Sequence, residues 1–232
     1  MKIGGFQKAT LIDYPGKVAC IVFLYGCNFR CGFCYNTDLV LGDGREGFSE
    51  EEILDFLEKR KGKLDGVCIT GGEPLMSLDF DFVRKIKDLG YLIKIDTNGS
   101  FPEKLRELID LGFVDFISMD LKGSKEKYSE VAGVSVNLEK IEESIKIVGN
   151  FPESEFRTTV VYRFHDANEI KKIGEWVSGV CGKKPSNYFL QGFRPEGEMV
   201  DSDFLNEKRV SESFLLNLRE VALDYFEEVG VR

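Results

Sequence analysis

Residues 19–36 read ACIVFLYGCNFRCGFCYN, a short apolar run followed directly by a loop with three cysteines. The run Ala19–Leu24 has the length and composition of a buried β-strand. Cys27, Cys31 and Cys34 lie just beyond its end. Parallel β/α folds gather their functional groups at the carboxyl ends of the strands. The cysteine loop is therefore the first candidate for a functional site.

The alternation of a short apolar run with a longer stretch of helical spacing continues along the chain. Further strands are predicted at Gly66–Thr70, Tyr91–Asp96, Phe113–Met119, Phe156–Val161 and Asn187–Gln191. Helices are predicted near Ser49–Arg60, Leu78–Leu89, Pro102–Leu111, Leu138–Gly149, Asn168–Val180 and Ser211–Val229. Six βα units in series predict a parallel sheet wrapped by helices, and a closed barrel needs eight. We expect an α/β fold, namely a partial (β/α)6 barrel that is open on one side.

The domain organisation is expected to be simple. No linker, repeat or low-complexity tract divides the 232 residues, so a single domain over residues 1–232 is predicted. Residues 1–17 are predicted to form an N-terminal hairpin or loop ahead of the barrel, which takes residues 18–232. Ser49, followed three residues later by Glu52, predicts a helix start with a capping box.

Composition excludes several classes of protein. The net charge of −9 without a basic stripe makes a nucleic-acid binder a poor expectation. The longest apolar run, Val18–Tyr25, is far shorter than the roughly 20 residues that cross a bilayer. Six cysteines in a chain of this length do not make a disulfide scaffold. We expect a cytoplasmic protein whose thiols are reduced.

The three loop cysteines indicate a metal centre. Thiolates are soft ligands that suit zinc or iron–sulfur clusters. Cys20 and Cys68 fall within apolar strands, where a buried hydrophobic role is expected, and Cys181 lies at a helix end. Three ligands without a fourth leave one metal position open for a substrate, whereas a closed structural site uses four. A zinc-stabilised loop is the alternative.

Other unusual polar motifs also follow predicted strands. They are Gly71–Pro74, Asp96–Gly99, Asp120–Lys122 and Gln191–Arg194. Each motif taken alone could be an ordinary turn or a solvated charge at the end of a strand. Together with the cysteine loop, they would gather at one edge of a parallel sheet. The sequence therefore predicts one composite site there.

The spacing C-x-x-x-C-x-x-C, with Phe33 before the last cysteine, resembles the signature of the radical S-adenosylmethionine (SAM) superfamily. The whole chain is similar to the activating proteins of glycyl radical enzymes. It looks most like the activators of anaerobic ribonucleoside-triphosphate reductase, chiefly over Gly4–Lys17 and Cys27–Asn36.

The resemblance implies which residues hold the cofactors. Cys27, Cys31 and Cys34 would ligate a [4Fe–4S] cluster. The positions that match SAM contacts of the family are Tyr35, Asn36, Gly71, Gly72, Glu73, Asp96, Thr97, Asp120, Lys122 and Arg157. Lys122 matches a lysine that pairs with the SAM carboxylate, and a surface salt bridge is the alternative role for Arg157. A monovalent cation could bind at Asp96, Thr97, the carbonyl of Ser118 and Asp120.

The resemblance also implies the reaction. Reductive cleavage of SAM would give a 5′-deoxyadenosyl radical, which would generate a glycyl radical on a partner enzyme. That partner would be anaerobic ribonucleotide reductase, and flavodoxin or ferredoxin would donate the electron. Phe193 stands where activators of pyruvate formate-lyase carry a histidine, and His165 is expected to be a helix-entry residue. Alternative substrates are another glycyl radical enzyme such as pyruvate formate-lyase, a small molecule or tRNA; a non-catalytic iron–sulfur protein is a distant alternative.

Overall fold

Strands and helices alternate along the chain in the computed structural model, which describes residues 1–42, 44 and 47–232. The strands are β1 (Ile3–Thr10), β2 (Ala19–Leu24), β3 (Gly66–Gly71), β4 (Leu92–Thr97), β5 (Phe116–Asp120), β6 (Ser154–Val160), β7 (Asn187–Gly192) and β8 (Glu228–Val231). The helices are α1 (Thr37–Leu41), α2 (Glu50–Lys59), α3 (Phe80–Asp88), α4 (Pro102–Asp110), α5 (Tyr128–Ala132), α6 (Leu138–Val148), α7 (Ala167–Cys181) and α8 (Glu212–Ala222).

Strand order in the sheet follows chain order from β1 to β8, so the sheet has two ends and is not closed within the described residues. β2 to β7 each overlap one of the six strands predicted from the sequence, with ends that differ by up to three residues. The predicted class, an α/β fold with an open, mainly parallel sheet, is thereby confirmed. The segment predicted as a hairpin or loop contains β1, which pairs antiparallel with β2.

Internal contacts divide the chain into two compact units. The first comprises Met1–Asn28, Asn36–Thr97 and Glu103–Ile117, and the second comprises Phe29–Tyr35, Asn98–Pro102 and Ser118–Arg232. The prediction of a single domain is not tested by this division and stays a prediction.

The first unit is built on β2, β3 and β4, which pair in parallel register. Ala19, Ile21 and Cys68 of these strands form an apolar cluster with Tyr14 and Phe116. Cys20 and Cys68 are buried, as predicted, and burial raises the pKa of each thiol to about 12. The predicted capping box also forms, since the Ser49 hydroxyl accepts from the Glu52 amide and the Glu52 carboxylate accepts from the Ser49 amide.

The second unit pairs β6, β7 and β8 in parallel. Here the predicted helix Ser211–Val229 is wrong at its end, because α8 stops at Ala222 and Glu228–Val231 forms β8. Ala222 and Phe226 continue the helical spacing of α8 and are both buried, which explains the error. Phe226 instead stacks on Tyr188 of β7, with ring centroids 4.3 Å apart.

Candidate active site

Residues 29–35 of the cysteine loop are held firmly by the second unit. The amides of Val200 and Asp201 donate to the carbonyls of Cys34 (3.2 Å) and Gly32 (3.0 Å). A turn joins Cys31 to Cys34, whose amide donates to the Cys31 carbonyl at 3.1 Å. The loop is further anchored by the buried Phe33 ring, which contacts the rings of Phe164, Phe193 and Phe204. Cys31 is buried and Cys34 half-buried.

Cys27 belongs to the first unit and is half-buried. It follows Gly26, whose positive φ of 91° suits a residue without a Cβ. The six cysteines of the chain form no disulfide. In the part of the chain that the structure describes, no three His, Cys, Asp or Glu side chains are arranged around a point that a single metal ion could occupy. An iron–sulfur cluster would not need such a point, because it has several irons for the thiolates to bind.

The Gly71–Pro74 motif packs its backbone directly on the start of the cysteine loop, within the first unit. The amide of Gly72 donates to the Leu24 carbonyl (2.9 Å), and the amide of Glu73 donates to the Gly26 carbonyl (2.8 Å). A Cβ on Gly72 would lie 2.0 Å from the Gly26 carbonyl oxygen. Asn36 donates through its side-chain amide to the Gly71 carbonyl at 3.3 Å. The two glycines therefore permit an approach that no other residue could make.

The side chain of Glu73 is fully buried and bound by the protein. Its Oε1 accepts from the Leu75 amide (3.1 Å) and from the Thr97 hydroxyl (2.8 Å). Glu73 thus ties the end of β3 to the end of β4. Asp96, the neighbour of Thr97, forms an ion pair with the ammonium of Lys94.

Three predicted contact residues meet in the second unit. Asp120 lies 3.3 Å from the Lys122 ammonium and 3.0 Å from Nε of Arg157. Burial alone would raise the pKa of Asp120, but the charges of Arg157 and Lys122 outweigh it and lower the pKa to about 2. Burial alone would lower the pKa of Lys122, but the charge of the Asp120 carboxylate outweighs it and raises that pKa. All three side chains are charged at neutral pH.

The positive charge of Lys122 also acts on the cysteine loop. Burial raises the pKa of the Cys31 thiol, and the ammonium of Lys122 acts in the opposite direction by favouring the thiolate. Negative charge on Cys31 and Cys34 in turn raises the pKa of Lys122. A cation beside the thiolates is suited to hold an anionic group against a metal bound there.

Arg157 is not a surface residue, since its side chain is only 12% exposed. It also faces Glu155 at 3.9 Å. Buried Glu155 in turn accepts from the Ser118 hydroxyl (2.8 Å) and from Arg232 (3.0 Å). The role of Arg157 as an exposed salt bridge is thus disfavoured.

Phe193, which directly follows β7, makes an apolar contact with the cysteine loop. It is fully buried, and the Tyr35 ring stacks on it with centroids 5.9 Å apart. The Tyr35 hydroxyl donates to the Arg194 carbonyl and accepts from the Arg194 amide, both at 2.8 Å. A cavity of about 580 Å³ opens beside them at the carboxyl ends of β6 and β7, lined also by Thr159 and Gln191.

The structure adds residues that the sequence did not indicate. His165 lies next to Asp166, the N-cap of α7. Its Nε2 lies 2.9 Å from the Lys122 carbonyl, and its Nδ1 accepts from the Val161 amide at 3.1 Å. Burial lowers the pKa of His165, so the ring is neutral. The Tyr128 hydroxyl donates to the Asp120 carbonyl at 3.4 Å. Both residues position the Asp120–Lys122 segment.

The fold and these motifs define the class of protein. Residues 21–177 match the radical SAM superfamily, and the chain belongs to it. It is a radical SAM enzyme, and membership implies S-adenosylmethionine and a [4Fe–4S] cluster as cofactors. None of the described helices is both long and apolar enough to span a bilayer.

The chain is similar to particular curated proteins and solved structures. A candidate glycyl-radical enzyme activating enzyme of Methanocaldococcus jannaschii, MJ1227, is 32% identical over 99% of this chain and 95% of its own. A pyruvate formate-lyase-activating enzyme of Listeria monocytogenes is 37% identical over 52% of this chain and 53% of its own. Among solved structures, QueE from Escherichia coli shares the fold with a TM-score of 0.58 and 17% identity, covering 100% of this chain and 93% of that one.

Proposed function

We propose that the chain is an activase that cleaves SAM reductively and generates a glycyl radical on a partner enzyme. The partner is anaerobic ribonucleoside-triphosphate reductase, and a flavodoxin or ferredoxin supplies the electron. Support for the activase class comes from the relative named as an activating enzyme, which corresponds to this chain over almost the whole length of both.

One observation carries the proposal for the chemistry, namely that Lys122 lies 3.3 Å from Asp120 in the compact unit that also contains Cys31 and Cys34. Cys27, Cys31 and Cys34 would hold the cluster, and their thiolates are the donor type that iron–sulfur clusters use. With three protein ligands, one iron would be available to SAM. When bound, the cluster delivers the electron that splits SAM into methionine and a 5′-deoxyadenosyl radical.

The protein binds and orients SAM around that position. Lys122 pairs with the SAM carboxylate. Asp120 holds Lys122 in place and is itself held by Arg157. The backbone of Gly71 and Gly72 approaches the methionyl part. The remaining proposed SAM contacts are Tyr35, Asn36, Glu73, Asp96 and Thr97, with Glu73 acting through Thr97 and the Gly26 carbonyl.

The partner glycine would enter from the open side of the barrel. The cavity beside Tyr35, Gln191 and Arg194 provides room for a loop of a macromolecule. The 5′-deoxyadenosyl radical would take one hydrogen atom from the glycine Cα, giving 5′-deoxyadenosine and the glycyl radical. No general base is needed. The buried apolar Phe193 supports the ribonucleotide reductase as the partner over pyruvate formate-lyase.

The test is anaerobic mixing of the reduced, reconstituted protein with SAM and the reductase. Electron paramagnetic resonance should show a glycyl radical doublet, with 5′-deoxyadenosine formed in similar amounts. A reductase with alanine in place of the radical glycine should give no doublet. A doublet on pyruvate formate-lyase and not on the reductase would identify that enzyme as the partner. Formation of 5′-deoxyadenosine without any protein radical would refute the proposed activase function.

Lys122→Ala is expected to weaken SAM binding while leaving the cluster intact. A lost charge-assisted hydrogen bond costs roughly 1.5–3 kcal/mol, which is about 10- to 150-fold in affinity. Anaerobic titration with SAM measures the effect, and iron and sulfide content checks the cluster. Lys125→Ala is the matched control, since Lys125 pairs with Glu142 at the surface of the same unit. Unchanged affinity in Lys122→Ala would remove Lys122 from the SAM site.

A further inference from the structure

The first unit contains a buried lysine, Lys94. It lies in the middle of β4 and is 1% exposed. Its register partner on β3 is Cys68, a member of the apolar cluster. Because side chains two apart on a strand share a face, Lys94 and Asp96 point to the same side of β4. The lysine stem thus lies in apolar surroundings and its ammonium reaches toward the carboxyl end of the strand.

Two groups compensate the charge of this ammonium. It forms an ion pair with Oδ1 of Asp96, which is 16% exposed. It also lies 5.9 Å from the centroid of the Phe116 ring, within cation–π range. A buried ammonium is costly unless it is paired, so Lys94 and Asp96 stabilise each other as a unit. Removing either partner would leave the other as an uncompensated charge.

This pair bears directly on the monovalent cation that the family resemblance implies at Asp96. A cation there needs the negative charge of the Asp96 carboxylate. Lys94 already neutralises that carboxylate, and its ammonium would repel a second cation held by the same oxygens. The residues present around Asp96 therefore do not fit an added cation.

We infer that Lys94 supplies the positive charge at Asp96 itself, so that the protein binds no monovalent cation at this position. Lys94 is then a positioning residue that fixes the carboxylate at the end of β4. The inference rests on the proposed function in one respect, namely that Asp96 faces SAM. Its test uses neither SAM cleavage nor a partner enzyme, so the inference and the proposed function can fail separately.

Equilibrium dialysis of the whole protein against rubidium chloride, read by mass spectrometry of the metal, tests the inference. The unaltered protein should retain no stoichiometric rubidium, and its melting temperature should be equal in potassium chloride and choline chloride at one ionic strength. Lys94→Met, which keeps most of the length of the side chain without its charge, should bind about one rubidium per chain and melt higher in potassium than in choline. Lys94→Arg should behave like the unaltered protein.

Lys87→Met is the matched control, because Lys87 forms an ion pair of 2.7 Å with Asp115 in the same unit. It should lose stability equally in both salts and bind no rubidium. About one rubidium on the unaltered protein would overturn the inference, and that measurement needs no variant to fold. A folded Lys94→Met protein that binds no rubidium and melts equally in both salts would also overturn it. The Lys94 ammonium would then not be the reason that no cation binds at Asp96.

Discussion

Cys27→Ala, Cys31→Ala and Cys34→Ala are each expected to abolish the [4Fe–4S] cluster after anaerobic reconstitution. The unaltered protein should take up about one cluster per chain. Each cysteine would supply one of three protein ligands, so its loss would leave two thiolates, too few to hold the cluster. Iron and sulfide analysis and the visible absorption of the cluster measure the effect. SAM cleavage should disappear with the iron.

The other three cysteines provide the control. Cys20 and Cys68 lie in strands of the first unit and are almost completely buried, while Cys181 ends α7 and contacts the Ile145 carbonyl at 3.6 Å. Alanine at any of these positions should leave the iron content unchanged, because none belongs to the loop. If iron binding required one of them, the cluster would have a fourth protein ligand, and no position would be open to SAM.

The strands were predictable because the spacing of apolar residues and the turn residues that end each run are local features of the sequence. Ala19–Leu24 is apolar throughout and ends at Gly26, and the structure places β2 over the predicted residues. The failure at β8 has a physical cause as well. Glu228–Val231 becomes a strand only because β7 offers a parallel partner, and Asn187 and Glu228 are far apart in sequence. Local spacing cannot reveal such pairing.

The site was predictable as a set of positions but not as a set of contacts. The sequence indicated Lys122 and Asp120, whereas the hydrogen bond from His165 to the Lys122 carbonyl joins residues 43 apart. For Glu73 the sequence predicted a cofactor contact, and it gave no sign that the carboxylate also binds Thr97 and the Leu75 amide. A signal for Lys94 did exist, since a charged residue interrupts the apolar run Tyr91–Ile95. A charged residue inside an apolar strand needs a partner of opposite charge in the interior.

Gly72→Ala is expected to destabilise the protein strongly, although alanine adds a single methyl group. The new Cβ would lie 2.0 Å from the Gly26 carbonyl oxygen and 2.5 Å from its carbon. These are backbone atoms and cannot rotate away, so the end of β3 must move from the cysteine loop. That movement strains the hydrogen bonds of Gly72 with Leu24 and of Glu73 with Gly26. Overpacking of this kind costs about 3 kcal/mol.

For a chain of this size the melting temperature should fall by roughly 6–12 °C, which scanning calorimetry of the cluster-free protein can measure. Gly62→Ala separates the steric cause from backbone conformation. Gly62 has a φ of 71° and no atom within 4 Å of an added Cβ, so it incurs only the cost of a left-handed backbone. That cost is about 1–2 kcal/mol. Gly72 does not have a positive φ, and its larger loss would therefore come from the contact with Gly26. Equal losses in the two variants would mean that the motif does not depend on this close approach.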